Sequence, residues 1–83
     1  MHPTSELDDM IAQEKRQVAL EYHDEAWAGG LSDGIDTDIM AEAAIETAMR
    51  GLIEAIGEDA ALAYVDALRE RVLVGAFVEK TLQ

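Results

Sequence analysis

The sequence predicts an all-α fold: a three-helix bundle in which one long helix packs on an antiparallel helical hairpin. Three observations carry that prediction. Apolar residues return every third or fourth position through most of the chain, as on one face of a helix. Proline occurs once, at Pro3, so only glycine interrupts the pattern. Glycine falls where one helical segment would give way to the next, in the stretch from Gly29 to Gly34, at Gly57 and at Gly75.

The first segment is expected to be helical from about Ser5 to Ala28. Ser5 is placed to cap it, and Glu6, Asp8 and Asp9 suit the positive end of a helix dipole. Leu7, Ile11, Val18, Tyr22 and Ala26 share one stripe, widened by Met10 and Ala19. Such a helix is about 36 Å long at about 1.5 Å per residue, long for so short a chain. Gly29-Gly30 is expected to end it, and residues 29–36 to form the main loop, with Leu31 and Ile35 tucked against the helices.

The second helix is expected to start near Asp36 or Thr37, with Asp36, Thr37 and Asp38 as capping or first-turn residues. Ala41, Ala44, Ile45, Ala48, Met49, Leu52, Ile53 and Ile56 make a broad apolar face. Glu46 and Arg50 lie opposite, spaced for an i,i+4 ion pair. Gly51 inside this helix suggests that a neighbouring helix approaches closely there. Gly57 breaks the pattern, and Glu58 and Asp59 suit a new helix start. So short a link points to an antiparallel hairpin. The third helix is expected to reach about Val74 with Leu62, Val65, Leu68 and Val72 inward. Gly75 would end it and Phe77 would fold back over the last turn. Residues 1–4 are expected to fray, and residues 79–83 form a tail that the pattern does not assign. The layout resembles that of many short bacterial helical proteins, and no motif ties it to one family.

Composition bounds the function. Eighty-three residues make a single domain near the lower size limit for independent stability. There is no cysteine, hence no disulfide or thiolate metal site, and a reducing compartment such as the cytoplasm is expected. Small cores without such staples often gain stability by oligomerising, which points to a homodimer. Eighteen acidic and six basic residues give a formal net charge of −12. That charge disfavours nucleic-acid phosphates and anionic membranes. The opening Met1-His2-Pro3-Thr4-Ser5-Glu6 lacks a basic stretch followed by an apolar run, so no secretion signal is expected.

Specific chemistry finds little support in the residues. Counting an EF-hand from Asp33 places Ile35 third, Asp38 sixth and Ala44 twelfth, where oxygen ligands, glycine and glutamate are needed. These aspartates read instead as turn and capping residues. His23 has Ala19, Leu20, Ala26 and Trp27 at helical spacing, none of them a ligand. Ser5 and Ser32 lie in no nucleophile arrangement, so neither an enzyme nor a cofactor is expected. Acyl carriers are similar in size, acidity and helix content. They carry their prosthetic group on an Asp-Ser-Leu serine at a helix start, however, whereas Leu31-Ser32-Asp33 runs in the reverse order within a loop.

The distribution of charge is more informative. From Gln17 to Met49 there is no lysine or arginine, while Glu21, Asp24, Glu25, Asp33, Asp36, Asp38, Glu42 and Glu46 all fall there. A face of this kind attracts a basic surface and speeds its encounter. A face that only maintains solubility is the plainer alternative. The expected function is therefore a small acidic interaction module for a basic protein, a nucleic-acid mimic being a special case. Asp33, Asp36, Asp38, Glu42 and Glu46 would make the polar contacts, with Trp27 and Phe77 as apolar ones. Two alternatives stand beside it. One is an assembly subunit that homodimerises through apolar helix faces, since Leu73, Val74, Phe77, Val78 and Leu82 crowd the end of the chain. The other is a metal- or ligand-binding bundle using His23.

Overall fold

A computed structural model describes residues 3–78, with side chains from Ser5 to Val78. The chain is all-α, with three helices and, among the described residues, no strand. This agrees with the three-helix expectation and with its long first helix. Residues 1–2 and 79–83, including His2 and Leu82, lie outside the described residues, and the expectations placed on them fall there.

Helix α1 spans Pro3–Ser32, 30 residues, and is longer than expected at both ends. It starts at Pro3 because the fixed φ of proline suits a first helical turn, so Ser5 lies inside the helix instead of capping it. It also runs through Gly29-Gly30, which the sequence pattern places in the loop. A glycine in a helix costs about 1 kcal/mol relative to alanine but does not forbid the conformation. The residue that turns the chain is Gly34, at φ 91°. There the Ile35 N–H donates to the Gly30 carbonyl at 3.0 Å and the Gly34 N–H to the Leu31 carbonyl at 3.0 Å. These paired bonds satisfy carbonyls that a helix end would otherwise leave open. The loop expected over 29–36 therefore contracts to Asp33–Asp36.

Helix α2 spans Thr37–Ile56. Its first backbone bond runs from the Met40 N–H to the Asp36 carbonyl at 3.0 Å, so Asp36 flanks the helix as expected. Across the turn, the Met40 side chain lies against Gly30, filling the space a Cβ would need. Helix α3 spans Glu58–Leu73, and a single residue separates it from α2. The Gly57 N–H donates to Ile53 at 2.9 Å and the Gly57 carbonyl accepts from Ala61 at 3.0 Å. One residue thus closes one helix and opens the next, as its position in the sequence suggests. α3 ends with Ala76 N–H to Arg71 carbonyl at 2.9 Å and Gly75 N–H to Val72 carbonyl at 3.1 Å. Phe77 does fold back, and the Arg71 guanidinium carbon sits 4.4 Å from its ring centroid.

The chain divides between Glu42 and Ala43 into two units. In the first, no residue from Ser5 to Glu42 is buried. Trp27, Gly30, Met40 and Ala41 are half-buried. In the second, Ala61 is buried, and Met49, Leu52, Ala60 and Gly75 are half-buried. The stripes expected to face inward are instead exposed: Leu7, Ile11, Val18 and Tyr22 on α1, Ile45, Ile53 and Ile56 on α2, and Leu62, Val65, Leu68 and Val72 on α3. Leu31 and Ile35, expected to tuck inward, are exposed as well. Periodicity collects apolar side chains on one face of a helix, but it does not supply the surface that covers that face. The half-buried alanines and glycines remove little area from water when they pack.

Gly51 also departs from expectation. A Cβ added there meets nothing within 4 Å, so no close helix contact requires the glycine. Gly51→Ala is expected to raise stability by about 0.5–1 kcal/mol in a urea melt, by removing the helix penalty of glycine. A loss of stability would mean that this face is covered in solution. Among the described residues no helix is long and apolar enough to cross a membrane.

Candidate functional site

The acidic turn of the first unit is built by the end of α1 and the start of α2. Asp33 lies in the turn, Asp36 flanks α2, and Asp38 sits in its first turn. Aspartates are favourable there because unpaired N–H groups and the helix dipole make the N-terminus of a helix positive. One Asp38 carboxylate oxygen accepts from the Ile39 N–H at 2.9 Å. Glu42 follows Asp38 by four residues on α2, along the same side of that helix. All four carboxylates are exposed, and none forms an ion pair among the described residues.

Apolar side chains interleave with these acids. Leu31, Ile35 and Ile39 are 38%, 41% and 53% exposed. Trp27 is half-buried on α1, one turn before Leu31. Exposed apolar residues and exposed carboxylates thus alternate along the chain from Leu31 to Glu42. The acids and Trp27 were legible in the sequence, whereas Leu31 and Ile35, expected inward, are exposed. The signal for that exposure is the mixing of apolar and acidic residues from Leu31 to Ile39, which leaves no continuous apolar face there.

The other two candidate residues are engaged in the second unit. Glu46 makes the expected i,i+4 ion pair with Arg50, both side chains being exposed. Phe77 lies against Arg71. Local arginines thus compensate the charge of Glu46 and cover one face of the Phe77 ring. The remaining ion pair among the described residues, Arg69 to Glu70 at 3.4 Å, is also exposed and contributes little.

The site offers exposed charge and exposed apolar area. Among the described residues, no three histidine, aspartate or glutamate side chains come together in a way that could hold a metal ion. His23 is exposed on α1. A shallow groove on α1 is lined by Glu14, Lys15, Val18, Ala19 and Tyr22. No protein-family model matches the chain, and no curated protein or solved structure is detectably similar to it.

Proposed function

We propose that this chain is a small non-enzymatic interaction module that binds a basic protein surface through the acidic turn of its first unit. The observation that carries this reading is that Asp33, Asp36, Asp38 and Glu42, exposed and outside any described ion pair, alternate along the chain with the exposed Leu31, Ile35 and Ile39. Apolar area framed by polar groups is the usual anatomy of a protein interface, and the sign of these acids selects a cationic partner. Trp27, half-buried on α1 one turn before Leu31, belongs to a residue type enriched among interface anchors. Glu46 adds less than the other acids because Arg50 already compensates it. A nucleic-acid-binding protein, whose basic groove this chain would occupy as a nucleic-acid mimic, is one case of such a partner.

The test is recovery of basic proteins from the native host by the full chain, compared with a form in which Asp33, Asp36, Asp38, Glu42 and Glu46 become amides. Bound basic protein should fall at least about tenfold in the amide form. It should fall similarly when salt is raised until exposed charges are screened. Equal recovery by both forms rejects the proposal.

A second reading is favoured by one observation. Ala61 is the single buried residue among those described, while many large apolar side chains are exposed. A chain with these proportions suits a subunit that completes its core by assembling with another copy through apolar helix faces. Association of that kind changes little with salt, which separates it from binding at the acidic turn.

A further inference from the structure

From Ser5 to Glu42 the half-buried residues are Trp27, Gly30, Met40 and Ala41, and the rest are exposed. Trp27, the single tryptophan of the chain, and Gly30 stand three residues apart on one side of α1. Met40 belongs to the first turn of α2. Its sulfur and terminal methyl carbon occupy the space beside Gly30 that a side chain there would fill. The Gly30 carbonyl in turn accepts from the Ile35 N–H at 3.0 Å, one of the two bonds that shape the turn between the helices. A thioether thus holds the start of α2 against the residue whose carbonyl closes α1.

We propose that Met40 is an oxidation site that controls the α1–α2 turn: conversion of its thioether to the sulfoxide by a peroxide unseats it from Gly30 and loosens the turn. A lone pair on the sulfur attacks one peroxide oxygen. The S–O bond forms as the O–O bond breaks, and with hydrogen peroxide the other oxygen leaves as water. The sulfur is oxidised by two electrons and the peroxide is reduced. Half-burial leaves the sulfur within reach of so small a molecule. The sulfoxide oxygen then has neither room nor a partner in the seat. The thioether already takes the space beside Gly30, and Gly30 lies inside α1, where the N–H groups are committed along the helix. A polar group kept there without a hydrogen bond is costly, so the oxygen turns to water and the side chain leaves Gly30. Met10, by contrast, is 63% exposed, and a sulfoxide there stays hydrated. Met49 is half-buried in the second unit and has no part in this turn. The device stands on the geometry of the turn, and it holds whether or not the acidic residues bind a partner.

The test uses the full chain carrying Met10→Leu and Met49→Leu, with far-ultraviolet circular dichroism confirming unchanged helix content before treatment. After exposure to hydrogen peroxide, peptide mass spectrometry assigns the oxidised residue, and amide hydrogen exchange and Trp27 fluorescence are read on the same samples. Sulfoxide should form at Met40, more slowly than at Met10 of the wild-type chain, because exposure sets the rate. Exchange of the Ile35 amide should then quicken at least about tenfold as the turn opens, and Trp27 emission should move to longer wavelength. Methionine sulfoxide reductases, one for each sulfoxide epimer, should reverse both changes. Met40→Gln, polar and of similar length, should reproduce the faster exchange without peroxide. Met40→Leu, which keeps an apolar side chain of similar volume, should abolish the response to peroxide. The oxidised and reduced chains share one sequence, so their comparison decides the matter even where Met40→Leu disturbs the turn. A Met40 that resists peroxide, or one fully oxidised with Ile35 exchange unchanged, overturns the proposal. An Ile35 amide that exchanges freely before treatment overturns it as well. So does a response that persists in Met40→Leu or that the reductases leave in place.

Discussion

Aspartate at Ala61 is expected to lower the stability of the second unit by about 3 kcal/mol or more, whereas aspartate at the next residue, Leu62, costs only about 0.5 kcal/mol. Ala61 is 1% exposed and Leu62 is 58% exposed. A carboxylate at the first position must lose its water and displace whatever packs on the methyl group. At the second it stays hydrated. Placement in the early part of α3 would return some of the loss, because negative charge is favoured near a helix N-terminus. That return is at most about 1 kcal/mol, and Glu58 and Asp59 already occupy the first turn and repel a third acid. Urea melts of the two variants, followed by helix signal, make the comparison. Equal losses at both sites would show that the α3 apolar stripe is covered after all. The contrast runs against the pattern of the sequence, in which Leu62 belongs to the stripe expected to face inward.

Gly57→Ala is expected to destabilise the chain by about 1–3 kcal/mol, the opposite sign from Gly51→Ala. The two sites share one feature, since a Cβ added at either meets nothing within 4 Å. They differ in backbone. Gly51 lies within α2, where alanine is preferred, while Gly57 holds φ 89° and ψ 167°, a region that is essentially closed to residues with a Cβ. Because space is not limiting, the loss at Gly57 is backbone strain. It should therefore be as large for Gly57→Asn as for Gly57→Ala, since asparagine eases only the left-handed helical region at lower ψ. Denaturation midpoints of the three variants test this. A neutral Gly57→Ala would mean that the α2–α3 junction relaxes to another conformation.

The physical reach of the sequence varies from element to element. The Gly57 break was legible because a lone glycine followed by Glu58 and Asp59 both ends one helix and favours the next. The Glu46–Arg50 pair was legible because four residues of helix fix its geometry. The Gly29-Gly30 boundary misled because glycine marks a helix end only when the backbone there takes a positive φ. Two candidates stood four or five residues apart, and composition does not say which one turns. In the structure it is Gly34, and the carbonyls of Gly30 and Leu31 accept the closing bonds. Burial was the least legible property. Spacing correctly grouped Leu62, Val65, Leu68 and Val72 on one side of α3, but nothing local to α3 states what covers that side. For the acidic turn, the carboxylates were visible as a run without lysine or arginine. The exposure of Leu31, Ile35 and Ile39 depended on how short the turn became once α1 extended to Ser32.

The assembly reading proposes that helices whose apolar side chains are exposed within one chain gain stability from a second copy. Thermal unfolding of the full chain, followed by helix signal at constant salt over a hundredfold range of concentration, tests it most directly. The midpoint should rise by roughly 5–10 °C from the lowest concentration to the highest, as it does when the native form is an assembly and the unfolded form is not. A sharp transition at one temperature, independent of concentration, would contradict it and would show that a single chain closes its own core.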